Sequence, residues 1–177
     1  VVTVLKGVKV KVSPKTKILY AKGCEIEGDS KEGFAEAVDK VKVSDIAILV
    51  VGEGRSMTGE ASSRSTLDLP GVQEELVKAV YKTGVPVIMV LLSGRPNSIC
   101  WSAQHLPAVL EAWHPGIQGG AAIADVLFGD YNPAGRLPTT FPRTVGQVPI
   151  YYNSKNTGRP SSDKRWTSKY IDLPYTP

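Results

Sequence analysis

The chain has 177 residues, of which 42% are hydrophobic and 21% charged, the size and composition of one globular domain. Its longest largely apolar runs, residues 46–51 and 85–92, fall well short of the about 20 residues of a membrane-spanning helix, so we expect no membrane partner. No signal-peptide pattern opens the sequence, which starts at Val1, and we therefore expect a fragment or a processed product. The net charge of +4 comes from the two ends of the chain, because the segment between them is slightly acidic.

The lysines near the N-terminus are the closest approach to a nucleic-acid-binding surface. They alternate with apolar residues and lack interleaved aromatic side chains, a pattern that favours a solvated edge of the fold. These residues are Lys6, Lys9, Lys11, Lys15 and Lys17. We therefore expect no nucleic acid partner.

The cysteines and histidines do not form a metal-binding motif. Cys24 and Cys100 are far apart in the sequence, and we expect two free thiols unless the fold brings them together to pair. His105 and His114 are the only imidazoles, and neither an HExxH nor a CxxC motif is present. The sequence therefore predicts neither a metal site nor a cofactor.

The predicted elements follow one another along the chain in a regular alternation. Residues 1–16 alternate apolar and polar side chains, which predicts an approach strand or a linker. The next predicted strands are residues 18–21, 46–51, 87–92 and 108–113. The predicted helices are one capped by Asp29 or Ser30 and continuing through Val41, one from Pro70 through Val80, a short one over 98–105, and one over 116–128.

Strands that alternate with helices indicate an α/β fold. We predict a doubly wound, mostly parallel sheet with helices on both faces, followed by an irregular Pro/Gly-rich tail. The predicted division is a linker or approach strand (residues 1–16), an α/β sandwich domain (17–150) and an extended tail (151–177).

The segments that follow the predicted strands are the candidate site, because ligands of open parallel sheets bind beyond the carboxyl ends of the strands. Three segments lie there, residues 52–69, 93–97 and 114–118, and the first far exceeds the usual length of about 2–6 residues. A phosphate-binding glycine loop and a GxSxG nucleophile elbow are both absent. Carboxylate chemistry remains, with Glu60 as a general acid. The alternative is that Glu60 and Arg64 form an ion pair that only holds the loop.

Several motifs resemble the second domain of glycoside hydrolase family 3, the β-glucosidase-like enzymes. Around Glu60 they are GEASSRS (residues 59–65) and LDLPGVQEELV (67–77). Further along they are GVPVI (84–88), LSGRP (92–96), AWHPG (112–116), LFGDYNPAGRLP (127–138), TFPR (140–143) and GQVP (146–149), and the earlier segments LKGV (5–8) and YAKGC (20–24) fit the lead-in to that domain. The resemblance covers essentially the whole chain.

This resemblance implies the acid/base-carrying half of a retaining exo-β-glycosidase, a β-glucosidase that acts on terminal β-D-glucosyl residues. In the family, an N-terminal TIM-like barrel carries an aspartate nucleophile, and the α/β sandwich domain projects the acid/base glutamate over the barrel mouth. The match assigns that role to Glu60 and makes Arg64 its motif partner, with a substrate-binding or loop-orienting role. His114 stands where the family often has an aromatic residue. Without the barrel, we expect the isolated chain to be inactive and to self-associate.

Two other functions remain possible from the sequence. One is a non-catalytic carbohydrate-binding or interface module of the same fold. The other is an unrelated flavodoxin-like nucleotide binder.

Overall fold

A computed structural model describes residues 1–155, 158–162 and 164–177. In this part of the chain the helices are α1 (Val4–Lys11), α2 (Phe34–Lys42), α3 (Gln73–Tyr81), α4 (Cys100–His105) and α5 (Gly119–Leu127), and the strands are β1 (Ala47–Gly52), β2 (Val87–Leu92) and β3 (Ala108–Glu111). Two short 3-10 turns, Arg55–Met57 and Val145–Gln147, lie outside these elements.

The three strands form one parallel sheet in the order β1-β2-β3. Side chains of a strand point alternately to its two faces, and the central strand β2 is apolar on both. Met89 and Leu91 pack with α2 and α3 on one face, whereas Val90 packs with α1 and α5 on the other. The predicted α/β fold, a parallel sheet with helices on both faces, is confirmed.

The N-terminal segment differs from its prediction, because residues 4–11 form helix α1 and not an approach strand. The Thr3 side chain caps this helix by accepting a hydrogen bond from the Lys6 amide, with Oγ1 and N 3.2 Å apart. A β-carbon on Gly7 would lie 2.0 Å from the carbonyl oxygen of Gly120, so the backbones of α1 and α5 touch where both residues are glycine. This close packing explains why a stretch with strand-like alternation forms a helix.

Two further details of the N-terminal third were predicted wrongly. Residues 18–21 form no strand, and the Tyr20 carbonyl accepts its hydrogen bond from the Lys40 side chain at 2.5 Å. Helix α2 starts after Gly33, and neither Asp29 nor Ser30 caps it. The Ser30 hydroxyl instead accepts from the nearby Glu32 amide in a local turn.

The other predicted elements are present, β2 with the predicted bounds and the rest with ends shifted by a few residues. Strand β3 stops at Glu111 because Trp113 has a φ of 49°, which an extended strand cannot accommodate. Helix α5 begins at Gly119, after Gly116 with a φ of 76°. Both turns lie at the edge of the sheet where the candidate site was predicted.

The segment after α5 folds back on itself through a buried glutamine. The Gln147 side chain accepts a hydrogen bond from the Arg143 amide at 2.6 Å and donates one to the Pro174 carbonyl at 3.0 Å. Arg143 also donates from Nε to the Thr176 carbonyl at 2.9 Å. The domain boundaries at residues 16 and 150 stay predictions.

Both cysteines, Cys24 and Cys100, are free thiols in this fold, as expected from their spacing. Of the helices in the described ranges, none has the length and apolar character needed to cross a bilayer.

Candidate functional site

The carboxyl ends of the three strands meet at one edge of the sheet, as the site prediction requires. Strand β1 ends at Gly52, whose φ of 137° and close approach to β2 admit only glycine, because a β-carbon there would lie 1.9 Å from the Leu92 carbonyl oxygen. The buried Gln73 amide fixes this turn, accepting from the Gly52 amide at 2.7 Å and donating to the Gly52 carbonyl at 2.8 Å. The residue that follows, Glu53, is thereby directed into the interior of this edge.

Glu53 binds two arginines, and we call Glu53, Arg64 and Arg95 the Glu53 cluster. Its Oε1 accepts from Nη1 of Arg64 at 2.7 Å and from Nη1 of Arg95 at 2.6 Å. Its Oε2 accepts from the Gly94 amide at 3.2 Å. The carboxylate has no solvent exposure, and each arginine side chain is 18% exposed. The cluster thus joins the ends of β1 and β2 to the long loop between β1 and α3.

The cluster keeps the Glu53 carboxylate ionised. Burial by itself would raise the pKa of Glu53, but hydrogen bonds from Arg64, Arg95 and the Gly94 amide outweigh it and hold that pKa below its ordinary value. The carboxylate therefore serves as a fixed counter-charge for the two guanidiniums.

Glu60 lies in the same loop in a very different environment. Its side chain is exposed, and among the described residues no donor bonds to its carboxylate. Arg95 donates to the Met57 carbonyl at 2.8 Å and to the Ser62 carbonyl at 2.9 Å, one on each side of Glu60. The loop therefore presents a solvent-facing carboxyl from a backbone that is held on both sides.

Arg64 does not pair with Glu60. Its guanidinium binds Glu53 and donates from Nη2 to the Asp68 carbonyl at 3.1 Å, and the described residues contain no ion pair between it and Glu60. The alternative in which a Glu60–Arg64 pair holds the loop is therefore not what the structure shows. Arg64 does contact the loop backbone, in keeping with the loop-orienting option.

A second carboxyl, the half-buried Glu111, stands at the end of β3. Its Oε1 accepts from the Trp113 amide at 2.8 Å, while its Oε2 is buried without a partner among the described residues. Burial, with a smaller contribution from the charge of Glu53, raises the pKa of Glu111 to about 7 and outweighs the hydrogen bonds from Trp113 and Ser93, which lower it. The turn that Glu111 supports carries His114, whose Nε2 lies 3.1 Å from Oγ1 of Thr58.

We expect stability to fall as the pH rises through the range in which Glu111 ionises. Its pKa rises from 4.5 to about 7 on folding, so the native state binds more protons than the unfolded state between these values. The free energy of unfolding should drop by about 2 kcal/mol across this range, allowing for solvent screening of a partly exposed group. Urea unfolding at about pH 5 and about pH 8 measures this drop.

Glu111→Gln should remove most of this pH dependence, because an amide does not titrate. Glu32→Gln is the matched control, since it removes an exposed carboxyl and should leave the pH dependence of the free energy of unfolding unchanged. The prediction would be contradicted if the free energy of unfolding fell equally between about pH 5 and about pH 8 in Glu111→Gln and in the unmodified protein.

Three charged residues of this site were not assigned a role from the sequence. Glu53 follows β1 directly, and Arg95 and Glu111 lie at the ends of β2 and β3. A signal was available, because each strand end carries one charged residue and opposite charges at neighbouring ends of a parallel sheet lie close together. Within the described ranges, no group of His, Cys, Asp and Glu side chains is arranged to hold a metal ion.

Comparison with known proteins places this chain in a family. The model of the glycosyl hydrolase family 3 C-terminal domain matches residues 1–174. A β-xylosidase from Formosa agariphila is 54% identical over 151 residues, which are 85% of this chain and 21% of that protein. A periplasmic β-glucosidase from Salmonella typhimurium is 43% identical over an alignment of 194 residues, covering 97% of this chain and 25% of that protein.

A solved structure has the same fold. The β-glucosidase from Listeria innocua in complex with gluconolactone has a TM-score of 0.90 at 36% identity, over 99% of this chain and 24% of that one. The chain therefore spans about a quarter of the length of these relatives. The resemblance inferred from the motifs is confirmed, and this chain belongs to glycosyl hydrolase family 3, as its C-terminal domain.

Proposed function

We propose that this chain is the acid/base-carrying half of a retaining exo-β-glycosidase, a β-glucosidase that hydrolyses terminal β-D-glucosyl residues. The observation that carries the proposal is the placement of Glu60. It is the carboxyl of the GEASSR motif, and it faces solvent on a loop whose backbone two half-buried arginines hold. A carboxyl so placed can reach a sugar bound against a neighbouring domain.

The reaction divides between two carboxyl groups. An aspartate on the barrel attacks the anomeric carbon while Glu60 gives its proton to the leaving oxygen, so the glycosidic C–O bond breaks as the glycosyl-enzyme bond forms. In the second step the Glu60 carboxylate takes a proton from water, whose oxygen bonds to the anomeric carbon and releases the aspartate. Arg64 orients the loop through the Asp68 carbonyl and makes no ion pair with Glu60 that would stabilise its charged form.

The relatives support a glycosidase but leave two sugars to compare. The β-xylosidase from Formosa agariphila is 54% identical, and the periplasmic β-glucosidase from Salmonella typhimurium is 43% identical. The structural relative from Listeria innocua is a β-glucosidase in complex with gluconolactone. Glucose is our proposal, and xylose is the second candidate.

The test uses the full-length protein and this chain alone, each with para-nitrophenyl β-glucoside and β-xyloside. We expect the full-length protein to prefer the glucoside and to release the β-anomer first by proton NMR, and the isolated chain to be inactive because it lacks the nucleophile. Faster hydrolysis of the xyloside than of the glucoside would make xylose, and not glucose, the sugar that the enzyme removes. An inactive full-length protein, or initial release of the α-anomer, would refute the proposal.

The non-catalytic module is the competing function. It predicts that the isolated chain binds cello-oligosaccharides by itself, whereas an acid/base domain needs the barrel to complete the sugar site. Calorimetric titration of the isolated chain separates the two, because saturable sugar binding without hydrolysis by the full-length protein would favour the module. Membership in a glycosyl hydrolase family gives the nucleotide-binding alternative no further support.

Self-association of the isolated chain is a further expectation of the two-domain proposal. Tyr152 is 90% exposed and Trp166 is 75% exposed, and exposed aromatic surface of this kind favours association. Of the apolar residues at the N-terminus, Val1 is exposed and adds to this surface, whereas Val4 is buried in a cluster with Val8 and Ile123. Light scattering over a wide concentration range should show dimers or larger species, and a monodisperse monomer throughout would contradict this.

A further inference from the structure

Arg95 contacts the loop that carries Glu60 from outside it. The residue follows β2, and its guanidinium reaches across to the Met57 and Ser62 carbonyls. These carbonyls lie three residues before and two residues after Glu60 in the sequence. One side chain therefore sets the backbone path of the segment that presents the carboxyl.

The position of Arg95 is itself fixed. Its Nη1 binds Glu53 at 2.6 Å, and Glu53 is anchored by the turn at Gly52 and by the Gly94 amide. A guanidinium has five N–H donors in one plane, so it can hold the carboxylate and two carbonyls in a single geometry. An ammonium group can satisfy the charge of Glu53 but cannot span both carbonyls in that plane.

We propose that Arg95 is a positioning residue for the proton-transfer steps, holding Glu60 through the Met57 and Ser62 carbonyls. The inference rests on the role proposed for Glu60. Proton transfer needs hydrogen-bond distance between carboxyl and glycosidic oxygen, and a displacement of about 1 Å can lower the rate by about 10²-fold. The exposed Glu60 side chain has no partner of its own among the described residues, so its placement depends on the backbone that Arg95 holds.

The test is Arg95→Lys in the full-length protein, assayed on a β-linked disaccharide and on dinitrophenyl β-glucoside. The disaccharide needs a proton on its leaving oxygen, whereas dinitrophenolate leaves without one. We expect kcat/KM for the disaccharide to fall by about 10–10²-fold and that for the activated glucoside to change much less. Arg55→Lys is the matched control, because Arg55 lies in the same loop, is exposed, and makes no hydrogen bond or ion pair within the described residues.

A second variant and a second background make the result decisive. Arg95→Gln keeps an amide donor without the charge and replaces Arg95→Lys in the assay if the lysine variant folds poorly. We expect it to show the same dependence on the leaving group. In a Glu60→Ala background, Arg95→Lys should add little further loss, because the group it positions is gone.

The outcomes separate the two proposals. If Glu60→Ala spares disaccharide hydrolysis, the role of Glu60 is refuted and that of Arg95 with it. If Glu60→Ala is impaired but Arg95→Lys loses activity equally on both substrates, or adds its full loss to that of Glu60→Ala, only the inference about Arg95 is overturned.

Discussion

Replacing Glu60 by alanine should lower kcat/KM for a β-linked disaccharide by about 10²–10⁴-fold in the full-length protein. The reason is the loss of a proton donor to the sugar oxygen in the first step and of a base for water in the second. Because the side chain is exposed and unpartnered among the described residues, the substitution leaves the loop contacts intact. Steady-state kinetics with the disaccharide measure the effect.

The dependence on the leaving group gives this prediction its specificity. With dinitrophenyl β-glucoside the first step should be nearly unchanged, and hydrolysis of the glycosyl-enzyme should become limiting. Added azide should then speed turnover by attacking the glycosyl-enzyme from the side that Glu60 vacated. Near-normal turnover of the disaccharide by Glu60→Ala would remove Glu60 from the mechanism, and the isolated chain should be unaffected by the same change.

Replacing Glu53 by glutamine should have the largest effect on stability, with a loss of about 3 kcal/mol in the free energy of unfolding. The change leaves two half-buried guanidiniums without their counter-charge. It also sets donor against donor, because the new amide N–H₂ must face either the two arginines or the Gly94 amide. Urea denaturation, followed by tryptophan fluorescence, measures the difference in the free energy of unfolding between Glu53→Gln and the unmodified protein.

Glu60→Gln is the control for this experiment, since it makes the same chemical change in the same region at an exposed position. We expect its stability to stay within about 0.5 kcal/mol of the unmodified protein. The two substitutions should therefore have different effects: the change at Glu53 should lower the free energy of unfolding, and the change at Glu60 should lower catalytic activity. A Glu53→Gln protein as stable as the control would show that the cluster contributes little to the fold.

The central strand of the sheet was predictable because it is buried on both faces. The run at residues 87–92 is continuously apolar, and β2 has those same bounds. Segments whose structure depends on a distant partner were not predictable. The strand-like alternation of residues 4–11 gives way to a helix because Gly7 fits against Gly120, a contact that local pattern does not reveal.

The position of the candidate site at this edge and in this loop was predictable, while the role of Glu60 there stays a proposal. The length of the segment after β1 identified the loop, and the motif resemblance singled out Glu60. Which charges pair was not predictable, because Arg64 is four residues from Glu60 in sequence yet binds Glu53. The pairing follows from burial at the ends of β1 and β2, a property of the assembled sheet.

Arg64 and Arg95 contact the loop backbone at carbonyl oxygens, those of Met57, Ser62 and Asp68, and this has a consequence for how the loop sequence can vary. Every residue type supplies a carbonyl, so the loop side chains other than Glu53 and Arg64 can be exchanged while these contacts stay the same. Related enzymes can then differ along the rest of the loop while Glu53, Arg64 and Arg95 stay unchanged beneath it. A designer can transplant this loop between relatives that share those three residues.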